Sequence, residues 1–60
     1  MRIKKFKNGA IVTMKKTFPS GMHVVLLRAP NGDVFDKVRC DDYTDAVAYR
    51  RSFEAIAKQL

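Results

Sequence analysis

The sequence predicts an α+β domain: a three-stranded antiparallel β-meander with one C-terminal α-helix packed across one face. Three observations lead there. Residues 22–39 read MHVVLLRAPNGDVFDKVR, an apolar run, a turn and an alternating run. Residues 42–59 place apolar side chains at helical spacing, with no Gly or Pro among them. The breaks between the apolar runs are short, and short loops join antiparallel neighbours.

Residues 1–7 are basic, with Ile3 and Phe6 as the apolar points after the initial Met. Asn8-Gly9 then signals a hairpin, so residues 2–7 form either a fourth, edge strand returning through Ala10 or, with residues 1–9 together, a basic arm. Lysine on an edge strand also blunts edge-to-edge pairing. Residues 10–17 alternate: Val12 and Met14 share one face, Thr13, Lys15 and Thr17 the other, the pattern of a half-buried strand. Phe18-Pro19-Ser20-Gly21 has the composition of a turn.

Residues 22–28 form the central strand. His23, Val25 and Leu27 point one way; Met22, Val24, Leu26 and Arg28 point the other. Both sets are mostly apolar, so either can meet the core. Pro30-Asn31-Gly32 ends the run, and Asn-Gly suits a primed hairpin turn, whose central residues need φ > 0. Residues 34–40 return with Val34, Val38 and Cys40 on one face, interrupted by Asp36, and Phe35, Lys37 and Arg39 on the other. The meander thus spans residues 10–40.

Residues 42–59 are the helix. Asp42 suits the N-cap and Asp45 the partner position of a capping box, and acids near a helix start complement its dipole. Ala46, Tyr49, Phe53, Ile56, Ala57 and Leu60 fall in one stripe, which predicts the face laid on the sheet. Arg51, Glu54 and Lys58 lie opposite, with Glu54 and Lys58 spaced for an i, i+4 ion pair.

Sixty residues make one domain, residues 1–60, small enough that stability is marginal. The net charge is +6, and residues 1–28 contain seven basic and no acidic side chains. Such asymmetry points to a polyanionic partner, nucleic acid before a membrane surface, or to a plain solvated face that keeps the protein soluble. A membrane-surface role fits poorly, because the polar side of the helix has mixed charge. No leader or membrane span is expected; the longest apolar run is far below the roughly 18 residues a span requires. Cys40 is the single cysteine. It reads as a small apolar side chain in a reducing cytoplasm.

No catalytic constellation emerges, and the chain is expected not to be an enzyme. His23 lies within the central strand, and Ser20 and Ser52 have no base nearby in sequence. Asp41-Asp42 is accounted for by helix capping, and no further hard ligands at a recognisable spacing suggest a metal. Gly9, Gly21 and Gly32 sit in separate turns, so there is no phosphate-binding loop. No cofactor is implied. One helix covers one face of a sheet, and the other stays open. That face is expected to hold Thr13, Lys15, Arg28, Phe35, Lys37 and Arg39, supplemented by the basic segment with Lys4, Lys5 and Lys7. Cations neutralise phosphates, hydroxyls donate to them, and an aromatic stacks or packs on sugar. Val24 and Leu26, or Val25 and Leu27, must share that face, and an apolar strip there favours a protein partner or a homodimer.

The stretch VVLLRAPNGDVFDKVRCDDYTDAVAYRRSF resembles the last two strands and helix of the plant ethylene-response-type DNA-binding domain, an architecture also found in the N-terminal arm-binding domains of tyrosine recombinases. Arg28, Pro30-Asn31-Gly32, Asp41-Asp42, Ala46 and Tyr49 occupy the matching places, and Lys15-Lys16 with Pro19 to Gly21 stand where the plant family has its Arg-rich first strand and following turn. The chain departs from that family in having no Trp, in placing Leu26 where the family has Glu, and in the phase of its last strand. The resemblance implies that Lys15, Lys16, Arg28, Lys37 and Arg39 make the phosphate and base contacts. The expected function is therefore a small basic nucleic-acid-binding module for duplex DNA. The alternative is a small protein-binding inhibitor or adaptor of the kind a phage or mobile element encodes.

Overall fold

The computed structural model describes residues 1–60. In chain order it contains β1 (Arg2–Lys5), β2 (Ile11–Lys16), β3 (His23–Arg28), β4 (Val34–Cys40) and α1 (Tyr43–Ala57). The strands form one antiparallel sheet in the order β1-β2-β3-β4, with α1 across one face. The meander has four strands, and the basic N-terminal segment is its edge strand, not an arm: Arg2 pairs with Met14 and Lys5 with Ile11.

The two Asn-Gly loops do not form two-residue primed turns. Gly9 N–H donates to the Phe6 carbonyl at 3.0 Å, and Gly32 N–H to the Ala29 carbonyl at 2.9 Å. Asn8 and Asn31 are thus third in their turns, each followed by a glycine. Only the glycines have positive φ, +96° at Gly9 and +94° at Gly32. This is the three-residue loop, a type I turn closed by a left-handed glycine. Pro30 favours it, because a fixed φ near −65° suits the second position of a type I turn and forbids the φ > 0 that a primed turn needs there.

The register decides which side of β3 is buried. Val12 lies opposite Leu27, Met14 opposite Val25, and Val25 opposite Val38. These side chains face α1, and Val25 and Leu27 are fully buried. With Ala10, Ala46, Phe53 and Ala57 they form the core, flanked by half-buried Phe6, Val38 and Cys40.

The helix begins where the sequence indicates. Asp42 is extended, and its Oδ1 accepts from Thr44 N–H at 2.9 Å. Its contact face is narrower than the predicted stripe and rotated from it. Ala46, Phe53 and Ala57 are buried, whereas Tyr49, Ile56 and Leu60 are exposed. Arg50 fills the missing step of the i, i+4, i+7, i+11 series, its side chain only 11% exposed. Glu54 is half-buried with it, not on the solvent side. The ion pair is Arg50–Glu54, Nη1 to Oε2 at 3.3 Å, while Arg50 Nε has no hydrogen-bond partner.

The far end of the helix is held from the other end of the chain. Asn8 Nδ2 donates to the carbonyls of Ala57 (2.7 Å) and Leu60 (3.0 Å), while its Oδ1 accepts from Ala10 N–H at 2.8 Å. Carbonyls left over at a helix C-terminus thereby gain partners.

Phe53→Ala should cost about 3–5 kcal/mol, a large share of the roughly 3–9 kcal/mol expected of 60 residues. Tyr49→Ala should cost less than about 1 kcal/mol. Urea unfolding of both variants checks the rotated face, and equal losses would contradict it. Asn8→Ala should cost about 1–3 kcal/mol by removing two C-terminal hydrogen bonds and one local one, read as a lower urea midpoint at unchanged m-value.

Candidate nucleic-acid interface

Pleating fixes the composition of the uncovered face, since directly paired residues in neighbouring strands share a side. Three rows run across it. Lys15, Val24 and Arg39 form one; Thr13, Leu26 and Lys37, with Ile3 of β1, form the next; Lys5, Ile11, Arg28 and Val34 form the third. Five cations therefore stand on this face of the strands, with no carboxylate and no imidazole among the paired residues. Asp36 pairs with Leu27, and His23 with Lys16 and Cys40, all toward the helix side.

The middle of the face is aliphatic. Val24 is 6% exposed although no helix lies over it. Its cross-strand neighbours Lys15 and Arg39 explain this, since long basic side chains lay their methylenes on apolar surface and keep their charges in water. Leu26 is half-buried in the next row. Val24, Leu26, Arg28, Lys37 and Arg39 line a concavity of about 630 Å³, with Phe18 also on its wall. Arg28 is held in place: its Nη1 donates to the Gly32 carbonyl at 2.9 Å, tying it to the β3–β4 loop. Its other guanidinium N–H groups stay available, and a pre-positioned fork suits phosphate.

Six of the expected residues, Lys5, Thr13, Lys15, Arg28, Lys37 and Arg39, are brought together on this face. Four are not. Lys4 pairs with Val12 on the helix side, and its Nζ lies 5.8 Å over the Phe6 ring. Lys16 pairs with His23, also on the helix side. Adjacent residues in a strand point oppositely, so Lys15 and Lys16 cannot serve one surface. Lys7 sits in the β1–β2 loop. Phe35 is the extra residue at a register shift: Leu27 pairs with Asp36, but Arg28 pairs with Val34. This β-bulge reverses the alternation, so Val34 joins the open face in place of facing the core with Val38 and Cys40.

Phe18 was hidden among turn residues in the sequence. It is 82% exposed, presented by a loop tied internally: Thr17 Oγ1 lies 3.0 Å from Ser20 Oγ and donates to the Met22 carbonyl at 3.1 Å. The signal was available, since an aromatic inside a tight Pro-Ser-Gly turn has no core to enter.

The opposite face offers little chemistry. His23 packs edge-on against Tyr43, ring centroids 5.5 Å apart. Cys40 beside it is pushed up from its usual thiol range by burial first and by the charges of Asp45, Asp41 and Asp42 second. No cluster of three or more His, Cys, Asp or Glu is placed to hold a metal ion. No helix is long and apolar enough to cross a membrane. No protein-family model, curated protein or solved structure matches the chain.

A raised Cys40 pKa means less thiolate at a given pH. Alkylation of the folded protein by iodoacetamide at pH 8 should be slower than in urea, with its rate still climbing above pH 9. A folded-state rate equal to the unfolded one would contradict the burial effect.

Proposed function

We propose that this chain is a non-enzymatic nucleic-acid-binding module acting through the open face of its sheet. The observation that supports this is the segregation of charge: five cations and no carboxylate share one side of the strands, while Asp36 and the acids at the helix start are on the other side. Cations at strand spacing neutralise successive phosphates, and Thr13 can donate to a phosphate oxygen between them. A face without carboxylate or imidazole lacks the commonest general bases, which favours binding over catalysis. A free, half-buried thiol suits the reducing cytoplasm, where such a partner is found.

Fluorescence anisotropy with labelled DNA over a salt series tests the reading. Affinity should fall steeply as salt rises. Lys37→Ala and Arg39→Ala should each reduce the slope of log K against log salt by about 0.7–0.9. Lys16→Ala, on the helix side, should leave that slope nearly unchanged. Folded protein that binds no nucleic acid at low salt would overturn the proposal. A dimer that Leu26→Ser abolishes would then assign the face to a second copy, because apolar anchors dominate protein interfaces.

A further inference from the structure

In two of the three rows of the open face the chemistry changes from strand to strand, while the third, Val34, Arg28 and Ile11, sets a cation between aliphatic side chains. β4 contributes Lys37 and Arg39, two residues and therefore about 6.6 Å apart along the strand. Beside them β3 contributes Leu26 and Val24, and beyond these β2 contributes Thr13 and Lys15. Crossing those two rows from β4 to β2 thus meets cations, then aliphatic surface, then a hydroxyl and a further cation. Crossing one nucleotide strand meets the same order of needs: phosphate, the flat apolar face of a base, and the polar base edge.

A duplex does not present that order. Its base faces are stacked against one another, and it offers phosphates, sugars and base edges. Leu26 would then lie beneath polar groups, with a thymine methyl as the best available apolar contact. An unpaired strand has a free π-face on every base. The concavity of about 630 Å³ runs along this face from Phe18 past Leu26 to Arg28. Phe18 stands on the wall of that concavity, 82% exposed. An aromatic held out of the core by a tied loop is a stacking platform.

We propose that the open face binds an unpaired segment of nucleic acid, with phosphates along Lys37 and Arg39 and bases over Leu26 and Phe18. The assignment rests on the nucleic-acid reading above and narrows it from polyanions in general to single strands. Thr13 and Lys15 then meet base edges. With aliphatic and aromatic contacts under the bases, sequence preference is weak, as every base has a π-face.

The test is competition at one low salt concentration. A short fluorescein-labelled DNA single strand of mixed sequence is displaced by the same strand unlabelled and by its duplex. The single strand should compete at least about tenfold better, the loss expected when base stacking is unavailable. Phe18→Ala should weaken single-strand binding about 5- to 100-fold, and Phe18→Trp should retain it. Because Phe18 lies in an exposed loop, both variants should keep the circular dichroism and melting behaviour of the parent. A duplex that competes as well as the single strand, or a silent Phe18→Ala, overturns the single-strand assignment and leaves nucleic-acid binding standing. Folded protein that binds neither form overturns both.

Discussion

One helix can bury one face of a four-stranded sheet, and β3 has apolar side chains on both. The arrangement of the whole molecule follows from how that conflict is resolved. Val25 and Leu27 go under α1 because their cross-strand neighbours Met14, Val12 and Val38 are apolar too. The opposite parity would bring Lys15, Lys37 and Arg39 beneath the helix, and burying unpaired cations costs far more than two aliphatic side chains return. The choice is therefore made by β2 and β4, not by β3. Its residue is an aliphatic strip, Val24 and Leu26, that must remain among cations. Core formation and the character of the open face are two results of one parity.

Much of this was legible locally. Alternation in residues 10–17, the turn residues, the Asp42 cap and the helix each reflect interactions within a few positions of the chain. What escaped depends on distant partners. The bulge at Phe35 arises from how β4 aligns with β3, and nothing in the order Val34-Phe35-Asp36 announces it. The helix face was misjudged because Arg50 counts as polar in any hydrophobic stripe. In the structure its side chain is only 11% exposed, while Tyr49 and Ile56 are exposed. Ala46 and Ala57 let the helix approach closely, so the contact arc is set by small residues as much as by large ones. Of the candidate site, the cations of one face could be read by counting in twos. Lys16 and Lys4 were lost because charge alone does not say which way a side chain points.

Arg50 also shows what the close approach costs. Its largely buried guanidinium keeps Glu54 as its partner and leaves Nε without one. Removing one member of such a pair strands the other, so the two act as a unit in stability. The sheet edges are guarded in different ways. β1 is short and basic, and β4 is bent by its bulge, and each device discourages strand addition from a neighbour.

The Asn8 clamp has a consequence for how the molecule assembles. Its partners lie 49 and 52 residues along the chain, whereas the β3–β4 hairpin and the helix are closed by contacts between near neighbours. Closing a long loop has an entropic cost that later contacts must recover, so local pieces form first. The contact between the β1–β2 loop and the helix end is consequently among the last to be locked. The Asn8 Nδ2 waits for residues 57 and 60, while its Oδ1 bond from Ala10 N–H forms within the loop. The helix end that Asn8 holds is, for the same reason, the natural place for the native state to begin to open.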